Sequence, residues 1–144
     1  TDYFANSVRV INTATDTVTA TIAVGTAPTQ GAVSPNGATL YVANSGTNTV
    51  SVIDTATNTV TTTITVGTNP GGIAFGTGGT TAYVANYVTN TVSVIDTATN
   101  TVTATITVGT GPAFLAISPN GAALYVPNQT DGTVSVLCTA SLVP

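Results

Sequence analysis

The chain repeats itself, and that restricts its fold more than any other feature. Tyr41-Val-Ala-Asn44 returns as Tyr83-Val-Ala-Asn86 and as Tyr125-Val-Pro-Asn128, spaced by 42 residues both times. The segment from Asn48 to Val60 returns unchanged from Asn90 to Val102. Ser34-Pro-Asn-Gly37 returns two periods later as Ser118-Pro-Asn-Gly121, with Gly76-Thr-Gly-Gly79 in that place in the copy between. A fixed period of this size demands one supersecondary unit stacked on copies of itself. The opening reads as a shortened copy. Tyr3-Phe-Ala-Asn6 lies 38 residues before Tyr41, its loop reads as four residues shorter, and register returns at Asn12, Asp54, Asp96 and Cys138. The expected organisation is a single repeat domain, 1–144, with repeats 3–40, 41–82, 83–124 and a partial 125–144.

Each unit reads as four short strands. In the third copy these are A (72–75), B (81–85), C (91–95) and D (101–108). Strand D alternates, which puts Val102, Ala104, Ile106 and Val108 on one face and threonines on the other. β-Branched residues dominate, as a pleated surface favours. Pro-Asn-Gly, Asp-Thr-Ala-Thr-Asn and Val-Gly-Thr-Asn-Pro supply turns at the junctions. No segment carries a helical period. The predicted fold class is all-β: a β-propeller-type repeat of four-stranded antiparallel blades of 42 residues, about 3.5 blades in this chain. A β-solenoid is the rival, but the unit holds no half-period copy of itself. By this reading the strands run BCD, ABCD, ABCD, ABC, fourteen in all. Two copies then bring twenty-eight strands, the number in a seven-bladed ring, but as eight B, eight C, six A and six D where seven of each are wanted.

Composition narrows the function. Charged residues are 4% of the chain: Arg9 and five Asp, with no Lys, Glu, His, Met or Trp. Without His or Glu, most general-base, metal-hydrolase and triad chemistries lack material, so no catalysis and no cofactor are expected. One Arg and a net charge of −4 speak against nucleic acid as a partner. No apolar run approaches the length of a membrane-spanning helix, so no membrane insertion is expected. Thr supplies 34 residues, nearly a quarter of the chain. That composition, without Lys, fits an extracellular or cell-surface setting. Cys138 is alone and reads as a small buried hydrophobe.

The run Tyr-Val-Ala-Asn, Asn-Thr-Val-Ser-Val-Ile-Asp-Thr-Ala-Thr-Asn-Thr-Val, Pro-Gly-Gly-Ile-Ala and Ser-Pro-Asn-Gly resembles the YVTN family of β-propeller repeats. Residues 87–90 read Tyr-Val-Thr-Asn outside the register of the motif at Tyr83. The resemblance covers almost the whole chain. It implies four-stranded blades, usually seven to a ring, in surface-layer and other exported proteins acting as structural or adhesion modules. Related propellers include lactonase-like enzymes and haem-bearing relatives, but His ligands and acidic clusters for such sites are absent. The alternative is therefore a ligand-binding or lactonase-like propeller whose site lies partly in blades absent here. The arc is short for a ring. It is expected to be completed by further blades of the same protein, or by self-association into a homo-oligomeric ring or a filament.

Candidate sites fall on the face shared by the B–C and D–A loops. Asn44, Asn86 and Asn128 recur there, with Tyr87 and Asp131 beside them, as a candidate interaction face. Strand-ending Asn residues also serve turns by bonding nearby backbone. Asn128-Gln-Thr130 is the one N-x-[ST] sequon, a candidate glycosylation site in a predicted loop, so glycans are possible partners. Asp54 and Asp96 read as turn-capping groups rather than metal ligands, since Asn12 and Cys138 hold the equivalent places. The Gly-rich run from Gly71 to Gly79 lacks the Gly-Lys-Thr ending of a phosphate loop and reads as a hairpin.

Overall fold

The computed structural model describes residues 1–142; the last two residues of the partial fourth repeat lie outside the described residues. The first sheet holds β1 (Ser7–Asn12) and β2 (Thr17–Ala23). The second holds β3 (Pro28–Val33), β4 (Thr39–Asn44), β5 (Thr49–Asp54) and β6 (Thr59–Thr65). The third holds β7 (Pro70–Phe75), β8 (Thr81–Asn86), β9 (Thr91–Asp96) and β10 (Thr101–Thr107). The fourth holds β11 (Ala116–Ile117), β12 (Ala123–Asn128) and β13 (Thr133–Cys138). Every sheet is antiparallel with its strands in chain order. The protein is all-β, an arc of four-stranded propeller-type blades with a two-stranded and a three-stranded partial blade at its ends. Among the described residues, no helix is long and apolar enough to cross a membrane.

The backbone keeps the 42-residue period more closely than the letters do. Left-handed conformations recur at Asn6, Asn48, Asn90 and Gly132, at Asp16, Asn58 and Asn100, at Ala27, Asn69 and Gly111, and at Gly37, Gly79 and Gly121. Asn, Asp and Gly tolerate that region; Ala does not.

Three expectations are corrected. First, Tyr3–Asn6 is a turn, not a B strand. Asp2 bridges to Ser7 as Asn44 pairs with Thr49 and Asn86 with Thr91. Asp2 therefore lies one full period before Asn44, and no residue is missing. Tyr3-Phe-Ala-Asn6 is the counterpart of the loop Tyr87-Val-Thr-Asn90, not of the strand at Tyr83. The described residues form thirteen strands rather than fourteen, so two copies do not bring the twenty-eight that seven blades require. Second, each D strand carries a bulge, with Thr19, Thr61 and Thr103 as the extra residue opposite the C-strand steps Val10–Ile11, Val52–Ile53 and Val94–Ile95. Thr103 is the extra residue in β10, which turns Val102 to the side of its partner Ile95 while Ala104 and Ile106 stay with Val94 and Val92. Third, Cys138 is exposed, because it ends an edge strand outside the packed region.

The core lies between blades. One face of the second blade, with Tyr41, Ala43, Val50, Val52 and Ile64, packs on the facing side of the third, with Ile73, Phe75, Ala82, Val84 and Ile95. The Tyr41 and Phe75 rings meet edge-on, centroids 4.9 Å apart. The same pairing of faces joins the first blade to the second, with Val8 and Ile22 against Val42 and Ile53. It also joins the third to the fourth, with Tyr83, Val92 and Val94 against Leu124 and Val126. The A strands converge at the narrow edge of the arc. A Cβ on Gly72 would stand 2.8 Å from the Ala113 carbonyl oxygen, so only glycine permits that approach.

Val94 is 1% exposed at the centre of one such interface. Val94→Asp buries an unpaired carboxylate and is expected to remove on the order of 4 kcal/mol or more, leaving no soluble folded protein; normal yield and circular dichroism would contradict the packing. Ala27 holds φ 54° where its counterparts are Asn69 and Gly111. Ala27→Gly is expected to raise stability by roughly 0.5–1 kcal/mol, read by urea denaturation.

Candidate functional site: the loop face

The B–C loops form by the same local rule in every blade. Asn44 ends β4 and turns its side chain inward. Its Nδ2 donates to Thr49 Oγ1 at 3.2 Å and Ser51 Oγ at 3.0 Å. Asn86 donates to Thr91 and Ser93 at 3.1 and 2.9 Å, and Asn128 to Thr133 and Ser135 at 3.0 and 2.9 Å. All three are buried, at 0, 0 and 1% exposure. The expectation that they form an exposed interaction face is corrected: they stand beneath the loops and hold them to the C strand. The Asn128 amide nitrogen, which a glycan would join, is enclosed in the folded blade. Gly25, Gly67 and Gly109 lie against these amides, where a Cβ would come within 2.4–2.7 Å.

Above this layer the B–C and D–A loops of successive blades interlock. Gly46 N–H donates to the Thr26 carbonyl, Val88 to Thr68 and Thr130 to Thr110, at 3.0, 3.2 and 3.1 Å. On the other flank Asn6, Asn48 and Asn90 act through Oδ1. They accept the backbone N–H of Ala27, Asn69 and Gly111, each at 2.9 Å. Each of these three links spans 21 residues, so every such loop is tied to the D–A loop that follows. The three latch residues were missed in the sequence. A 42-residue spacing counted from Asn48 instead of from Tyr41 finds them.

Tyr87 and Asp131 lie on this loop face. Tyr87 is 38% exposed, and its hydroxyl lies 3.4 Å from Thr130 Oγ1 of the next blade. Asp131 Oδ1 accepts from the Thr133 hydroxyl at 2.6 Å and Oδ2 from Thr110 N–H at 2.7 Å. The Thr133 hydroxyl and then the Thr110 N–H hold its carboxyl below the ordinary aspartate range. On the opposite face Asp54 and Asp96 cap their turns, accepting from the N–H groups of residues 56 and 57 and of 98 and 99. Asn12 accepts likewise from Ala14 N–H.

A polar cleft of about 240 Å³ opens between the second and third blades on that opposite face. Asp54, Thr39 and Asn36 line one wall and Thr97 and Asn100 the other, with Tyr41 at its floor. The Tyr41 hydroxyl donates to Asn100 Oδ1 across the blade junction. In the next junction Leu142 stands one period after Asn100, and Tyr83 packs near it. Burial, and then the charge of Asp96, push the Tyr41 hydroxyl up to about 12.

No family model matches the chain, and no curated protein matches it. Among solved structures, hydrazine synthase of Kuenenia stuttgartiensis superposes with a TM-score of 0.90 at 36% identity, covering 94% of this chain and 41% of that one. A functionally unknown protein from Desulfotomaculum acetoxidans DSM 771 superposes with a TM-score of 0.72 at 22% identity, covering 91% of this chain and 47% of that one. The chain thus spans less than half the length of either. The shared architecture is that of the blades, and the protein is a β-propeller-type repeat protein.

Tyr41 also sets an alkaline limit. Its folded pKa of about 12 stands above the ordinary 10.0, so the native state keeps the proton that the unfolded chain releases. Its contribution is complete below pH 10 and is lost as pH rises toward 12. The melting temperature of the wild type is expected to fall across that window, and Tyr41→Phe to flatten the fall; an unchanged slope in the variant would assign it elsewhere.

Proposed function

We propose that the chain is part of a propeller of the YVTN type, serving as a non-catalytic structural or adhesion module of an exported or cell-surface protein. Its arc is completed by further blades, from a second copy or from more of the same protein. One observation carries this reading: the two end faces of the arc are unlike, exposed and complementary. The outer side of the fourth blade presents Tyr125, Val134 and Val136, 43, 56 and 60% exposed, where the internal blades bury Tyr41, Val50 and Val52. The outer side of the first presents Ile11 and Val18, 57 and 52% exposed, where Ile53 of the second blade is buried. Each end is one half of the interface that joins blades inside the chain, and exposed apolar area of this kind marks an interaction surface. Contacts between unlike faces close a ring when the rotation allows and otherwise build a filament.

Support for the exported setting comes from composition. Charged residues are 4% of the chain, and threonine, not lysine or glutamate, covers the outer D strands. Threonine keeps an exposed strand both β-favourable and wettable.

Native mass after size exclusion tests the reading. A mass near twice 14.2 kDa indicates paired arcs, and large polydisperse material with visible fibres indicates open head-to-tail assembly. In either case Val134→Asp is expected to return the chain to 14.2 kDa with its circular dichroism intact. A wild type that stays monomeric at high concentration would remove self-completion and leave further blades of the same protein.

A further inference from the structure

We propose that the loop face binds a neutral polysaccharide through two matching pairs of exposed side chains, Tyr3 with Phe4 and Tyr87 with Val88. The inference rests on the reading of the chain as an adhesion module and names what it adheres to.

With the register corrected, the four equivalent B–C loops read Tyr3-Phe-Ala-Asn6, Ser45-Gly-Thr-Asn48, Tyr87-Val-Thr-Asn90 and Gln129-Thr-Asp-Gly132. The first and third place a tyrosine and an apolar residue at the tip. Tyr3 and Phe4 are 51 and 92% exposed, Tyr87 and Val88 38 and 56%. Folding does not call for these residues. The second blade builds the same turn with Ser45 and Gly46, makes the same backbone hydrogen bonds to its D–A loop, and ends on the same left-handed Asn. Tyr87 and Val88 therefore add exposed apolar surface that the fold leaves unused, and Tyr3 and Phe4 place a like pair at the equivalent position of the first loop.

The tips are held still. The Asn6 and Asn90 latches tie their loops to the D–A loops that follow, and Tyr87 N–H donates to the Asn69 carbonyl at 3.0 Å. The first loop has a further brace. Asp2 accepts Ala5 N–H at 3.2 Å and pairs with Arg9 at 2.9 Å, the one ion pair among the described residues. Tyr3 and Phe4 rings meet edge-on, centroids 5.3 Å apart. Fixed aromatic tips lose little entropy on binding.

Charge selects the occupant. The single Arg is engaged by Asp2 and the net charge is −4, so polyphosphates and anionic lipid surfaces are repelled. Interfacial membrane binding draws on Lys and Arg around the apolar residues, and this face has none free among the described residues. The exposed neighbours are the hydroxyls and amides of Thr26, Thr68, Thr110, Gln129 and Thr130, with one carboxylate, Asp131, already held by Thr110 and Thr133. Sugar rings offer the matching surface. Their axial C–H groups sit on the negative face of an aromatic ring, and their hydroxyls exchange hydrogen bonds with neutral polar groups. Two tips on one face of the arc suit a chain of sugars better than a single one.

The test is retention of the full chain on microcrystalline cellulose and on chitin. The wild type is expected to be retained on at least one, Tyr87→Ala to bind about fivefold more weakly, and the double variant Tyr3→Ala/Tyr87→Ala to elute with the void. Ser45→Ala is expected to bind as the wild type does, and circular dichroism confirms the fold of each variant. No retention on either polymer, or undiminished retention of the double variant, overturns the proposal. Co-sedimentation with phosphatidylcholine vesicles that depends on Phe4 and Val88, without polysaccharide binding, overturns it in favour of a lipid surface. Light scattering on the same samples reports assembly separately. Assembly without retention therefore refutes the glycan alone, and retention of a monomer refutes self-completion alone.

Discussion

Face-to-face packing between blades is the contact on which everything else depends. A four-stranded sheet of this composition has apolar side chains on both sides, and neither side can be buried within the sheet. Tyr41, Val50 and Val52 leave water only against Ile73, Phe75 and Val84 of the next blade, and the pattern repeats on either side. At roughly 25 cal/mol per Å² of apolar surface, these interfaces outweigh any single hydrogen bond or the one surface ion pair. The bulge in each D strand follows from the same requirement. It re-aims one residue so that both faces of a strongly twisted sheet stay filled. The inner glycines follow as well, because blades packed this closely at a narrow edge leave no room for a Cβ.

The loop face is a second layer of order built on the first. Buried Asn44, Asn86 and Asn128 fix each B–C loop to its own blade, and Asn6, Asn48 and Asn90 fix it to the next. Neighbouring blades are thus joined by polar links at one face and by apolar packing in the middle. A scaffold of this kind separates the residues that hold a loop from those that top it. Ser45-Gly46 and Tyr87-Val88 occupy the same backbone. The tips differ from blade to blade while the latch Asn recurs in three of the loops.

Much of this was legible in the residues. The period, the four strands of each unit and the turn roles of Asp54 and Asp96 all follow from spacing and alternation. The misreadings have physical causes. Tyr3-Phe-Ala-Asn6 resembles the strand at Tyr83 in its letters, but strand pairing, not lettering, sets register. Asp2 opposite Ser7 shows that the segment is a loop. Strict alternation in β10 hid an extra residue, since a bulge leaves no mark in a run of Thr and Val. The recurrent Asn residues looked like surface groups because Asn is a turn residue; their amides instead satisfy hydroxyls of the adjacent strand.

The sequence by itself determined that this protein is a stack of near-identical antiparallel β units, because a 42-residue period with β-branched alternation admits little else. It also set where the backbone turns left-handed, since Asn and Gly stand at nearly every such place. Only the tertiary structure decided which faces meet, which side chains end in water, and which loop tips share a surface. Those outcomes depend on pairing between strands and on the approach of one blade to the next, and residues 42 apart in the chain become neighbours only once that packing has formed.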